Sequence, residues 1–407
     1  MDSAELTERL DSLARRFEDN SETAPDTDFI GWGQFLDVQK KYQQLGPYGT
    51  GAGLIVLALA DRGQSRPIVK AQELLNYWWG RRNDPNDRSH RQYIQTLRVA
   101  FQHLALRLSG TPATDSHLLE TRRVLLDRVL PSGFWGNYWT TSQVHDSTPR
   151  IFPTAMCILS FALMRPDGEP LDERILAAVG KLELRLQTAR NLSLLEMAAM
   201  IAALLSAKRG SLQRKTKRKI RRIARRIVPE LTDQASYFFD FESLPDSAGR
   251  IYSRDYFIIS PEILLAIAGF QPGAPGTLRL MAERTTTLLN QNLEENDNAY
   301  RPTESSRTST MDQAWTAILL ASPLEGYKSP GVLSHTWYWL SRERKDNVVT
   351  GTVLPIFAVT IVTVANLILK DADLLSKTVS AVALLIVSSL YGPRVFLRLF
   401  PWRASEK

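Results

Sequence analysis

Residues 191–226 read NLSLLEMAAMIAALLSA and then, without a break, KRGSLQRKTKRKIRRIARR. The first seventeen hold a single acid, Glu196, in a run of Leu, Ala, Ile and Met. A helix that is apolar on all sides must be buried. The next nineteen hold eleven basic residues and no acid, and Ile220 and Ile223, with Ile227 just after them, form one narrow apolar stripe. A helix of that kind docks by one edge and turns the rest to water. A buried helix beside a half-solvated one is the unit that the rest of the chain repeats.

Working outward, five more segments open on a polar or aromatic turn and become Ala/Leu-rich helices: 47–61, 91–106, 150–164, 255–270 and 307–322. Between them lie amphipathic segments with charged faces at 68–80, 115–130, 171–187, 277–293 and 332–341. Apolar spacings of three and four recur and no long alternating run appears, so the chain reads as all-α. Six apolar helices alternating with six amphipathic ones predict an inner and an outer ring, an (α/α)6 toroid-like barrel of helical hairpins. The repeat spacing is irregular, so the similarity is structural more than literal.

Composition sets the bounds. The chain has 407 residues, 44% of them apolar, with Gly 22 and Pro 21 near average usage, which excludes disordered and collagen-like chains. A lone cysteine, Cys157, excludes a disulfide framework and a multi-cysteine zinc site. Five scattered histidines form no HxxxH pair, so no metal or other cofactor is expected. The net charge is +7, and removing the eleven positive charges of 208–226 leaves −4. Residues 1–28 carry nine acids against three arginines. The protein is mildly acidic and bears one concentrated basic block.

The C-terminal part reads as a membrane hairpin. Asn347 to Leu369 is 23 residues without a charge. As a helix it covers roughly 34 Å, enough for a ~30 Å hydrocarbon core. A second apolar run, Leu374 to Gly392, follows the linker Lys370-Asp371-Ala372-Asp373. Arg342, Arg344 and Lys345 precede the first run, and Arg394, Arg398 and Arg403 follow the second. The positive-inside rule puts both outer flanks in the cytoplasm. The start, MDSAELTERLDSL, is charged and amphipathic and lacks a signal-peptide pattern. The expected organisation is an acidic segment 1–28, a cytosolic toroid 29–341, a two-span hairpin 347–392 and a basic cytoplasmic tail 393–407. The expected location is the cytoplasmic or inner membrane, with termini and main domain on the cytoplasmic side. Asn366 and the Ser/Thr-rich second span offer helix contacts for a homo-oligomer.

Gly133-Phe134-Trp135, followed some 18 residues later by Pro153-Thr154-Ala155 and an apolar helix, resembles a prenyltransferase and squalene-cyclase type repeat. There a glycine–tryptophan turn ends an outer helix and a Thr/Ala-led inner helix follows. The runs Gly49-Thr50-Gly51-Ala52-Gly53-Leu54 and Asp312-Gln313-Ala314-Trp315 resemble the same inner-helix start. The resemblance covers about residues 30–325 and implies an α/α toroid of the terpenoid-cyclase type. It does not bring the family's chemistry, because the chain holds no DxDD acid, no DDxxD diphosphate motif and no Asp or His spaced from Cys157 as a zinc ligand.

The turns ahead of the inner helices form the toroid mouth and carry the candidate sites. Ligand-binding candidates are Trp135, Trp139, Asp146, Arg150, Tyr252, Arg254, Tyr256 and Tyr300, since aromatic walls with a few polar groups suit a pocket. Catalytic candidates are the carboxylates Asp240, Asp255 and Asp312, which could serve as general acid and base. The basic residues Arg214, Lys215, Lys217, Arg218, Lys219, Arg221, Arg222, Arg225 and Arg226 repel one another along one helix. They call for an acidic partner, which is an anionic lipid surface, a nucleic acid or the acidic N-terminal segment, or else the face is solvated with counterions alone. Two functions follow. The first is a membrane-tethered scaffold or sensor that binds a ligand or partner, with a membrane-acting effector as a sub-class. The second is an isoprenoid- or carbohydrate-processing enzyme using acids at the mouth.

Overall fold

The computed structural model describes residues 2–324 except 26, 37–44, 62–64, 85, 87–92, 94, 138–147, 167–168, 189–191, 209–210, 233–243, 246–250, 253–260 and 300–307. These residues fall in the first of two units, Met1–His335; the second, Thr336–Lys407, lies wholly outside them.

The described residues form twelve α-helices. In chain order they are α1 (Ser3–Asp19), α2 (Pro47–Leu59), α3 (Arg66–Gly80), α4 (Thr96–Leu108), α5 (Ser116–Asp127) and α6 (Ile151–Ala162). Then come α7 (Glu173–Thr188), α8 (Leu194–Lys208), α9 (Arg214–Thr232), α10 (Pro261–Phe270), α11 (Gly276–Glu295) and α12 (Thr310–Ala321). Among the described residues strand is confined to two two-residue antiparallel ladders, β1 (Glu22–Thr23) with β2 (Ile30–Gly31) and β3 (Leu244–Pro245) with β4 (Ile251–Tyr252).

The apolar helices close a ring. α2 packs on α4, α4 on α6, α6 on α8, α8 on α10 and α10 on α12, and α12 returns to α2. Each is buried nearly throughout; α12 is buried at all twelve positions. The amphipathic helices form the second layer, with α3 on α2, α5 on α4, α7 on α6 and α8, and α11 on α10. α9 bridges α7 and α11, and α1 covers the seam between α12 and α2. This is the α/α toroid expected from the alternation. The acidic start of the chain thus contributes an outer helix, held to α11 and the turn after it. Arg9 pairs with Glu294 at 3.2 Å and Asn298 at 3.0 Å, and Asn290 donates to Glu5 at 2.5 Å.

Local chemistry starts the helices where the sequence places them. Asp115 Oδ1 accepts from the N–H groups of His117 and Leu118, and Ser309 Oγ from that of Asp312. Ser193 and Glu196 cap α8 reciprocally. Proline near the start of α2 and α3 sits where no N–H is needed.

The glycine–tryptophan turn is a lock that occurs twice among the described residues. The Trp135 indole donates to the Leu125 carbonyl in the last turn of α5, at 2.8 Å, and its backbone N–H to Thr154 Oγ1 in the first turn of α6, at 3.0 Å. Trp32 does the same between α1 and α2, through the Phe17 carbonyl at 2.7 Å and Thr50 Oγ1 at 3.4 Å. Both tryptophans are fully buried. Each lock ties the end of an outer helix to the start of the next inner one. Gly53 makes room for the first: a Cβ there would lie 2.3 Å from the Trp32 ring.

Among the described residues no helix is long and apolar enough to cross a membrane. The two apolar runs at 347–369 and 374–392, the segment 332–341 and the tail 393–407 lie outside the described residues.

Candidate functional site

The first turns of the inner helices gather at one end of the ring. Thr310 Oγ1 donates to the Gly33 and Gln34 carbonyls ahead of α2. The Thr96 N–H, at the start of α4, donates to the Asn137 carbonyl ahead of α6 at 2.9 Å. Each bond ties the first turn of one inner helix to the segment just ahead of its neighbour. The other ends gather as well, since Arg107 near the end of α4 donates to the Ser160 carbonyl at 3.1 Å and to that of Leu163 at the end of α6. α2, α4 and α6 therefore run the same way, with the start of α12 beside that of α2, and these first turns form a mouth.

The first turn or cap of each inner helix carries a polar or aromatic residue: Tyr48 on α2, Arg98 on α4, Arg150 at the cap of α6, Glu196 on α8, Glu262 on α10 and Asp312 on α12. In ring order the cationic residues fall on α4 and α6 and the carboxylates on α8, α10 and α12. Glu262 and Asp312 are buried, at 3% and 8% exposure, on inner helices that pack together. Glu196 is spent on its capping box. The Arg98 guanidinium lies 5.1 Å from the Tyr48 ring centroid. Burial pushes the Tyr48 hydroxyl well up, and the charge of Arg98 works against it. Beneath these groups, Phe101 lies 5.7 Å from Tyr48 and 6.1 Å from Trp315, so aromatic rings from α2, α4 and α12 meet inside the ring.

A cleft of about 570 Å³ lies at the opposite end, between the ends of α2, α4 and α6, the start of α5 and the segment before α7. His103, Arg107, Arg122 and Asp172 supply its polar wall, and Leu118 and Phe161 part of its apolar one. Burial, aided by Arg107 and Arg122, pushes the His103 imidazole down to about 3, so it is neutral at pH 7. It hydrogen-bonds with Thr121 Oγ1 at 3.2 Å and lies 4.6 Å from the Phe161 ring.

The residues singled out from sequence take different places. Trp135 is a lock residue whose two N–H groups are both used inside the fold. Arg150 is exposed at the mouth, its N–H donating to the Trp135 carbonyl at 2.9 Å, and Asp312 is buried there. Tyr252 pairs with Leu244 in the second ladder. Asp240, Asp255, Trp139, Asp146, Arg254, Tyr256 and Tyr300 lie outside the described residues. Of the basic block, Arg214, Lys215, Arg218, Arg221 and Arg222 are exposed, Lys217 and Lys219 half-buried, and Arg225 and Arg226 belong to α9. Cys157 is fully buried and its thiol is pushed up by burial. Among the described residues no group of three His, Cys, Asp or Glu could hold a metal.

Sequence reading missed Glu262, Tyr48 and Arg98. The signal for Glu262 was present: it is the one charge in PEILLAIAGF. A carboxylate in an otherwise apolar buried helix calls for a reason, although a place in the first turn supplies one through the helix dipole.

No family model and no curated protein matches the chain. Among solved structures, an inactive variant of the alpha-1,6-mannanase GH76A of Salegentibacter sp. HEL1_6, in complex with alpha-1,6-mannotriose, aligns with a TM-score of 0.52 at 12% identity. The alignment covers 78% of this chain and 98% of that one. Another structure of the same mannanase aligns with a TM-score of 0.51 at 12% identity, over 78% of this chain and 99% of that one. The type II terpene cyclase MstE from Scytonema, in its apo form, gives 0.47 at 10% identity, over 79% of this chain and 99% of that one. At such identity the likeness to the mannanase is one of fold, and that fold is the α/α toroid.

Proposed function

We propose that this chain is a membrane-tethered α/α toroid that processes carbohydrate at the mouth of its inner ring, with Glu262 and Asp312 as the reacting carboxylates. One observation carries the reading: both acids are buried in the first turns of inner helices that pack together. Glycoside cleavage needs a carboxylic acid to protonate the leaving oxygen and a carboxylate to act as base or nucleophile. The cationic side of the mouth, Arg98 and Arg150, is suited to orient hydroxyl groups, and the Tyr48 ring to stack on a sugar face. The mannanase that shares the fold, solved with a bound mannotriose, makes α-linked mannosides the first substrates to try. The tether is the pair of apolar runs at 347–369 and 374–392, with the toroid on the cytoplasmic side.

The test uses the full-length chain in detergent with α-linked manno-oligosaccharides and a wider panel of oligosaccharides. The expected result is hydrolysis that falls at least about a hundredfold in kcat in Glu262→Gln and in Asp312→Asn. Turnover unchanged in both variants would remove these residues from the reaction. Binding without turnover would favour the second reading, a ligand- or partner-binding scaffold. That reading draws on the aromatic rings of Tyr48, Phe101 and Trp315, which fill part of the ring interior.

A further inference from the structure

We infer that the solvent face of α9 is a docking surface for an anionic lipid bilayer. The inference rests on the proposed tether for the proximity of the bilayer, and on the geometry of α9 for the contact itself. Thr216, Ile220, Ile223 and Ala224 are buried and form the inward face of the helix. At about 100° per residue, Arg221, Arg214, Arg218, Arg222 and Lys215 fall in one arc of roughly 120° opposite that face. All five are exposed. Among the described residues none of the five has an ion-pair partner.

The face is held in place from behind. Glu183 on α7 is 2% exposed. Its carboxylate accepts from the Gln213 N–H at 3.0 Å, from Thr216 Oγ1 at 2.6 Å and from Lys208 Nζ at 2.5 Å. A buried carboxylate at the start of α9 also complements the positive end of its dipole. The helix is therefore pinned at its N-terminal end with its charges directed outward. Like charges three and four residues apart destabilise a helix unless something acidic meets them. The acidic α1 does not fill that role in the described contacts, because its pairs reach Asn290, Glu294 and Asn298 beside α11.

Charge complementarity then selects the occupant. The arc contains no aromatic residue on which a base could stack and no Asn or Gln to read a base edge. Point charges on a straight helix suit a laterally extended anionic surface, where each basic residue adds to attraction within a Debye length. A bilayer held by the same chain is present at high effective concentration.

The test uses the full-length chain with Lys215→Cys. The one native cysteine, Cys157, is buried, so an environment-sensitive thiol dye labels position 215 alone. The labelled protein is reconstituted into lipid nanodiscs of phosphatidylcholine alone or with phosphatidylserine, each carrying a headgroup-level quencher. Quenching in the anionic discs only, reversed by high salt, is the expected result. Adding Arg214→Ala, Arg218→Ala and Arg222→Ala should weaken docking by about a hundredfold, from three surface charges lost. Lysine at the same three positions should restore it, which separates charge from any change in folding. Quenching that ignores lipid charge, or salt-sensitive binding to single- or double-stranded nucleic acid without any lipid response, would overturn the inference. If the chain enters no disc at all, the tether fails, and flotation with free vesicles tests the face by itself. Salt-sensitive flotation with anionic but not neutral vesicles would then support it, and flotation with neither would overturn it.

Discussion

Every residue of the inner helix α12 is buried, including Asp312 and Gln313, whereas the outer helix α9, over its described side chains, buries Thr216, Ile220, Ile223 and Ala224 and leaves five cationic side chains in solvent. The two helices meet opposite demands. In α12 a polar side chain is surrounded by protein, so it needs an internal partner or a functional role. In α9 charge costs little to hydrate, and the apolar stripe with the Glu183 anchor holds the helix to the ring. The inner ring is therefore packed on every side, and the outer ring divides its side chains between core and solvent. A sequence with the two helix types in strict alternation encodes both layers at once.

Substitutions in the two layers should separate by size. Trp315→Ala in α12 should cost about 3–5 kcal/mol, measured by denaturant unfolding, because it empties a fully packed site against Phe101. A cost near zero would mean that the ring interior is not packed as described.

The seam between the layers should respond to acid. His103 on α4 and His117 on α5 are both buried; burial pushes the first down to about 3 and the second to about 4. For His117, Asp115 and Glu120 oppose the shift and Arg82 adds to it. Below the unfolded value near 6.5 the unfolded chain binds protons that the native chain does not, so stability falls as pH drops toward those values. Between pH 7 and 5 the two histidines together should cost about 3–4 kcal/mol. In His117→Gln the loss should be about half as large, and an acid limb of unchanged slope would show that His117 is not the group that titrates.

The anchor of α9 ranks next. Burial raises the Glu183 carboxyl, but the hydrogen bonds from Lys208, Thr216 and the Gln213 N–H outweigh it and hold it below the usual range. Its contribution is present above the unfolded value and is lost as pH falls through the depressed one. Glu183→Ala should cost about 2 kcal/mol, reduced because Lys208 is partly solvated, and should speed amide exchange across Arg214–Ala224 ahead of the inner ring. Arg218→Ala, by contrast, should change stability by less than about 0.5 kcal/mol. A large loss there would mean that the outer face is built into the fold, which would erase the contrast with α12.

The double ring was legible because its pattern is repeated. The segment 307–322 frames α12 and 150–164 frames α6 to within a few residues. Ile220 and Ile223 were readable as the docking stripe of α9. The Trp135 lock was readable from Gly133-Phe134-Trp135 and Thr154, but its twin at Trp32 was not, although Gly31-Trp32-Gly33 precedes Thr50 at nearly the same distance. What escaped were relations between distant parts of the chain. Glu183 reads as one more charge on an amphipathic helix until α9 is laid across it. Glu5 and Arg9 read as part of an acidic segment until α11 closes beside them. Glu262 is hard to single out from sequence because an acid in a first turn already has a local explanation.

The central claim is that the buried acids of α10 and α12 work on substrate at the mouth. It is tested most directly by single-turnover hydrolysis of α-linked manno-oligosaccharides by the full-length chain, beside Glu262→Gln and Asp312→Asn. Cleavage by the parent chain, with both variants still binding the oligosaccharide but cleaving it at least about a hundredfold more slowly, is the predicted result. Cleavage at the parent rate in both variants would contradict it.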